Sequence, residues 1–159
     1  MPFGGENAES YYDDGLTASR RGQLDEAIRC FEKALQLDPS YLGARYQLGR
    51  CDLRIGNINR ALERFSQVLS DKPGHIAARI DMGHALVMAG RTAEARRQFE
   101  EVIATEPQNS RGLFGMAEVL FNEGDWPGAV EWAKRSLAFS GPYFPALYLL
   151  GRAAKLAGD

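Results

Sequence analysis

The apolar positions of this chain recur with the period of an α-helix. Leu62 is followed by Phe65 three positions later and by Leu69 seven positions later, a spacing that places all three on one helical face. Glycine or proline separates such stretches, and both residues end helices. The pattern therefore predicts an all-α fold of about nine helices, at 8–21, 24–37, 42–55, 58–71, 76–89, 92–105, 110–123, 126–139 and 144–157.

The pattern also repeats every 34 residues. The columns with this spacing include Gly22, Gly56, Gly90, Gly124 and Gly158, then Ala27, Ala61, Ala95 and Ala129, then Phe31, Phe65 and Phe99, and also Pro39, Pro73 and Pro107. Columns in register at one period indicate a stack of similar units. Each glycine of the first column is expected to end a helix in the left-handed conformation, and Asn57 and Asp125, which follow two of them, are expected to be N-caps.

A second set of columns predicts how the helices pair. Gly49 and Gly83 stand opposite Ala61 and Ala95 in the pattern, and such small residues let two helices approach closely. The phenylalanine column is expected to fill the space beside them. Each unit is therefore predicted to be a helical hairpin, because small and large residues alternate across the pairing face.

These residues resemble the tetratricopeptide repeat (TPR), a helix–turn–helix unit of 34 residues. The stretches "YQLGRCDLRIGNINRALERFSQVLSDKP" and "IDMGHALVMAGRTAEARRQFEEVIATEP" carry its pattern of Leu or Met, Gly, Ala, Phe and Pro. The resemblance implies a right-handed superhelical solenoid of antiparallel helix hairpins. We expect a disordered leader at 1–7 and one TPR array at 8–157, with repeats at about 8–41, 42–75, 76–109 and 110–143 and a half-repeat at 144–157.

In this family the first helix of each hairpin lines a concave groove, which the resemblance implies is the binding surface here. The residues predicted to line it are Tyr12, Tyr46, Arg50, Leu53, Ile80, His84, Val87, Phe114, Glu118, Phe121, Tyr148 and Arg152. Five of these positions follow each other at 34-residue spacing and form a ladder that is mostly aromatic: Tyr12, Tyr46, Ile80, Phe114 and Tyr148. Aromatic residues dominate interface energetics. The groove is therefore expected to bind an extended peptide or an amphipathic helix. The alternative is that some ladder residues are ordinary core between first helices.

No catalytic constellation, cofactor motif or metal site is predicted. The glycines are spread singly instead of forming a phosphate-binding loop, and the two histidines lack the further ligands that zinc requires. Some TPR proteins bind the carboxylate tails of chaperones through a clamp of basic and amide residues. The matching positions here include Tyr12, Leu16 and Asp81, so such binding is not expected.

The charge balance narrows the class of partner. The net charge is −2, which disfavours nucleic acid because phosphate neutralisation requires an excess of Lys and Arg. With two cysteines, no signal-peptide pattern and no long apolar run, a cytoplasmic protein with no membrane contact is expected. The predicted function is a scaffold or adaptor for a protein or peptide partner. The alternative is a self-assembling or regulatory TPR segment of a larger multidomain protein.

The final helix supports that alternative. Residues 144–157 combine the apolar side chains of a first helix with no second helix after them. We expect either that the chain is a fragment of a longer repeat protein or that this helix mediates self-association.

Overall fold

The computed structural model describes residues 7–158, and within this range it contains nine α-helices. Each boundary lies within one residue of the predicted position. The helices are α1 (Ala8–Arg20), α2 (Leu24–Leu37), α3 (Leu42–Arg54), α4 (Ile58–Asp71), α5 (Ile76–Met88), α6 (Thr92–Thr105), α7 (Ser110–Glu123), α8 (Trp126–Ser140) and α9 (Phe144–Ala157). The predicted all-α fold class is confirmed. Of the predicted leader, residues 1–6 lie outside the described residues, and Asn7 is the N-cap of α1.

The first helix of each hairpin ends at a glycine of the 34-residue column. Five glycines at 34-residue spacing have φ between 73° and 90°, the left-handed region that residues with a Cβ rarely adopt. Only one of the two predicted N-caps, Asp125 and Asn57, makes a side-chain capping bond. The side chain of Asp125 accepts a bond of 3.0 Å from the Gly128 N–H, whereas Asn57 occupies its N-cap position without accepting one.

The chain divides into two compact units between Ala78 and Arg79. In the first unit, α1 pairs with α2 and α3 pairs with α4. Phe65 is fully buried, and a Cβ added at Gly49 would lie 2.6 Å from its ring. The close approach predicted for the glycine column is therefore present, because the phenylalanine ring occupies the space that a side chain would need.

A buried ion pair also joins the second hairpin of this unit. Asp52 is 4% exposed, and its Oδ2 atom accepts a bond of 2.7 Å from Nε of Arg64 in α4. Burying a carboxylate is costly unless it is paired. The two residues lie on opposite arms of the hairpin, so the pair fixes how α3 and α4 meet.

In the second unit, α6, α7, α8 and α9 pack in sequence, each against the next. Phe99 of α6 lies against both Gly83 and Gly115. In the last hairpin, Ala133 replaces the phenylalanine of the repeat, and the sequence predicts that tryptophan refills the space. Trp132 does pack against the core cluster that contains Leu120 and Val130, so α8 and α9 retain a continuous apolar contact.

Candidate functional site

The first unit supplies two tyrosines of the predicted groove, and both are half-buried. The Tyr12 ring lies 5.8 Å from the ring of Phe31 and 5.1 Å from that of Tyr41. The Tyr46 ring lies 6.0 Å from that of Phe65. Aromatic rings at these separations stabilise each other, so both tyrosines contribute to packing in their own unit as well as to its surface.

The other two predicted groove residues of the first unit are Arg50 and Leu53. Arg50 is exposed and places its guanidinium 5.8 Å from the centre of the Tyr46 ring. Leu53, one turn further along α3, is half-buried. This face therefore offers a mixed surface of polar and apolar atoms around the tyrosines.

In the second unit, two ladder positions belong to the core. Ile80 is 2% exposed and Phe114 is 7% exposed. At Ile80, burial favours the alternative that some ladder residues are ordinary core. The Phe114 ring packs edge-on against that of Tyr143 at 5.6 Å, and Phe114 also lines a cavity beside α9.

One helical turn after the two buried ladder positions, a histidine of α5 contacts a glutamate of α7. Nδ1 of His84 lies 2.6 Å from Oε2 of Glu118. This carboxylate oxygen is shielded from solvent and makes no well-aligned hydrogen bond within residues 7–158. The pair becomes a full ion pair when His84 is protonated. Val87 lies one turn after His84 and is half-buried, so the polar pair borders an apolar stripe.

A cavity of about 290 Å³ opens between α7 and α9. Five predicted groove residues line it, together with three that the prediction left out; in chain order the lining is Phe114, Glu118, Phe121, Asn122, Pro145, Tyr148, Leu149 and Arg152. Most of these side chains are apolar, with a few polar groups among them, which is the usual composition of a binding pocket.

Arg152 closes one side of this cavity. Its guanidinium lies 4.9 Å from the centre of the Phe121 ring and 5.7 Å from that of Tyr148. A cation over aromatic faces is held by the ring quadrupoles. The cavity therefore presents a positive group at Arg152 and a negative group at Glu118, with aromatic carbon between them.

The three residues that the prediction left out have a recognisable signal. Pro145 lies one turn before Tyr148, and Leu149 is four positions after Pro145. Residues three or four apart share a helical face, so a wider stripe on α9 would have included both. Asn122 follows Phe121 directly and is exposed, which places it at the rim.

The described residues show neither a metal centre nor a membrane span. Within 7–158, no three His, Cys, Asp or Glu side chains come together in a way that could hold a metal ion. None of the helices in that range combines the length and apolar character needed to cross a membrane.

Comparison with known sequences identifies the repeat. One profile described as "Tetratricopeptide repeat" matches residues 18–78 and 56–99, and a second with the same description matches residues 80–144. Together they span most of the chain. The protein belongs to the tetratricopeptide-repeat family. The resemblance inferred from the residue columns is thereby confirmed. No curated protein matches the sequence.

Solved structures share the TPR fold. MamA from Desulfovibrio magneticus RS-1 is 21% identical with a TM-score of 0.82, over 98% of this chain and 88% of that one. A thermophilic TPR protein from Thermus thermophilus is 20% identical with a TM-score of 0.83, over 95% of this chain and 83% of that one. A TPR protein from Parabacteroides merdae is 16% identical with a TM-score of 0.85, over 99% of this chain and 62% of that one.

Membership in the TPR family indicates a general role. Repeat arrays of this kind present extended surfaces to other proteins, and a scaffold for protein–protein interaction is the function that the family and fold support. TPR repeats are generally interaction modules and not enzymes.

Proposed function

We propose that this TPR protein is a non-enzymatic, cytoplasmic adaptor that binds a peptide or helix of a protein partner through the cavity between α7 and α9. The observation that carries the proposal is the composition of that cavity, which has apolar walls, one positively charged group and one negatively charged group. Such a site suits a partner segment that inserts one apolar or aromatic side chain.

The charges of the cavity specify the partner further. Arg152 can bind a carboxylate or a backbone carbonyl of the partner, because a guanidinium donates several hydrogen bonds in a fixed fork. Glu118 can accept from a backbone N–H or a hydroxyl. A segment that carries both kinds of group beside its apolar anchor would satisfy both, whereas a nucleic acid would place phosphates near Glu118.

The exposed members of the site make the proposal testable without unfolding the chain. Tyr148 is 58% exposed and Arg152 is exposed, so their substitution removes little packing. The double variant Tyr148→Ala and Arg152→Glu should lose the aromatic wall and reverse the charge at the rim. The matched control is Lys134→Glu, which reverses a charge on the exposed face of α8.

The experiment is an affinity capture with the wild type, the double variant and the control, followed by mass spectrometry. The proposal expects one or more proteins to be retained by wild type and by Lys134→Glu, and reduced by about tenfold or more on the double variant. Circular dichroism verifies that all three chains remain equally helical. Equal retention by the double variant and the control would contradict the proposal.

A further inference from the structure

The outward face of α9 combines large apolar residues with an open glycine. Phe144 is 78% exposed, Leu147 is 47% exposed, and Tyr148 stacks on Phe144 at a ring separation of 6.3 Å. A Cβ added at Gly151 would meet nothing within 4 Å. Contiguous exposed apolar surface marks an interaction site, so this face indicates contact with another molecule.

Other glycines of the same repeat column lie against an aromatic ring of their own hairpin. A Cβ added at Gly15, Gly49 or Gly83 would lie 2.5 to 2.6 Å from a ring atom of the phenylalanine sixteen residues later. In these three cases the glycine forms a depression that an aromatic ring fills. Gly151 occupies the same column, and its depression is exposed. By analogy with the other three glycines, the depression at Gly151 fits an aromatic side chain.

That aromatic side chain is present on the same face of the same helix. Phe144 lies seven residues before Gly151, which is about two turns, so the ring and the depression share one stripe. A helix that carries both a knob and a hole is complementary to itself. In a two-fold interface, residue i contacts residue j while j contacts i, and one antiparallel pairing satisfies both contacts.

We infer that α9 is a homodimerisation helix, which pairs with α9 of a second copy of this chain in antiparallel orientation, with each Phe144 ring on the Gly151 of the other copy. The axis then passes between Leu147 and Tyr148, and Leu147 of one copy contacts Tyr148 of the other. Tyr148 also lines the cavity, whereas Phe144, Leu147 and Gly151 do not, so the dimer is tested at Phe144 and Gly151.

Charge placement favours the antiparallel orientation. The exposed face of α9 carries Arg152 and Lys155 and no acidic residue. In the antiparallel register the two copies of Lys155 lie about 22 Å apart along the helices, which exceeds the screening length of about 8 Å at physiological salt. A parallel pair would place like charges side by side, at a cost to association.

The first test is the substitution Gly151→Leu. In the single chain a Cβ at Gly151 meets nothing within 4 Å, and the leucine replaces a helix-weakening glycine. At low protein concentration, where both chains are monomeric, we expect the melting temperature of the variant to be at least that of wild type. At high concentration, sedimentation velocity should show dimer for wild type and monomer for the variant. A wild type that stays monomeric at high concentration would overturn the inference, and so would a Gly151→Leu variant that dimerises as wild type does.

The second test fixes the register with cysteines. Phe144→Cys and Gly151→Cys are made singly and oxidised alone or mixed. In the proposed register, two copies of the same variant place their new cysteines about 10 Å apart along the helices, too far for a disulfide, which needs Cα atoms within about 7 Å. The mixture should therefore cross-link and the single variants should not. Cross-linking that is as strong in either variant alone would overturn the register.

The native cysteines do not obscure this result. Cys30 and Cys51 are both buried, and burial raises the pKa of each thiol, which keeps both in the less reactive protonated form. A wild-type sample oxidised in parallel should remain free of cross-links, and it serves as the control.

Discussion

The two units carry the same ladder of aromatic positions and use it differently. In the first, Tyr12 and Tyr46 each pack against other rings of their own unit. In the second, Phe114 is buried while Tyr148 is exposed beside a cavity. The same column thus supplies packing in one place and a cavity wall in another. The packing of neighbouring helices over a residue determines its role more than its type does.

The largest predicted effect separates the two roles within the second unit. Phe114→Ala removes a buried ring, which should cost about 3–5 kcal/mol of unfolding free energy because it leaves a cavity. At a protein concentration low enough for the chain to be monomeric, Tyr148→Ala, in the same column, should change it by less than about 0.5 kcal/mol because the side chain is exposed. Urea unfolding followed by circular dichroism measures both. Similar losses for the two variants would remove the distinction between the buried and the exposed residue of the ladder.

A second contrast uses glycines of one column, one from each unit. Gly49→Leu must displace the Phe65 ring, which lies 2.6 Å from the added Cβ, so we expect a loss of about 1–3 kcal/mol from overpacking. Gly151→Leu meets open space and should gain up to about 1 kcal/mol in helix propensity. Thermal melts of the two variants at low protein concentration should therefore shift in opposite directions. Shifts of the same sign would show that the depression at Gly151 is already filled.

The third contrast concerns a buried charge. Asp52 in the first unit stands in the column that holds Leu86 and Leu120 in the second. Arg64→Met should cost about 1–3 kcal/mol, because the Asp52 carboxylate loses its closest partner. The double variant Asp52→Leu and Arg64→Met should recover most of this loss, as apolar residues commonly replace buried ion pairs at little cost. Urea unfolding of both variants measures the recovery. A double variant as unstable as Arg64→Met would mean that the column does not accept leucine in the first unit.

The smallest predicted effect concerns the pKa of one glutamate in each unit, and it should be the same in both. The hydrogen bond and charge of Arg29 lower the pKa of Glu26 in the first, and Arg91 does the same for Glu94 in the second. Each lowered pKa contributes stability that is present above the ordinary carboxyl pKa and lost as the pH falls through the lowered value. Arg29→Gln and Arg91→Gln should each return the partner's pKa to its ordinary value in an NMR titration. A pKa that stays low would show that another group stabilises the carboxylate.

Sequence reasoning located the helices well because the first helix of each hairpin ends at a local signal. Glycines with positive φ end the helices at 34-residue intervals, and such a signal does not depend on distant packing. The close approach of Gly49 and Phe65 was also predictable, since the two columns sit sixteen residues apart in every hairpin that has both.

The candidate site was only partly predictable. The predicted groove set included Phe121, Tyr148 and Arg152, which do line the cavity, but the pattern could not show that Ile80 and Phe114 are buried. Burial depends on the helices that pack over a position, and the column pattern alone does not contain that information. The ion pair between α3 and α4 was missed for the same reason, because it joins two arms of a hairpin.

The central claim is that the second unit binds the partner, and chemical-shift mapping tests it most directly. The probe is a peptide selected from a random library on the wild-type chain, titrated into ¹⁵N-labelled wild type and into the Tyr148→Ala, Arg152→Glu variant. We predict that the largest backbone amide shifts in wild type fall at Phe121–Asn122 and Tyr148–Arg152, and that they vanish in the variant. Largest shifts around Tyr12 and Tyr46, retained by the variant, would contradict the account.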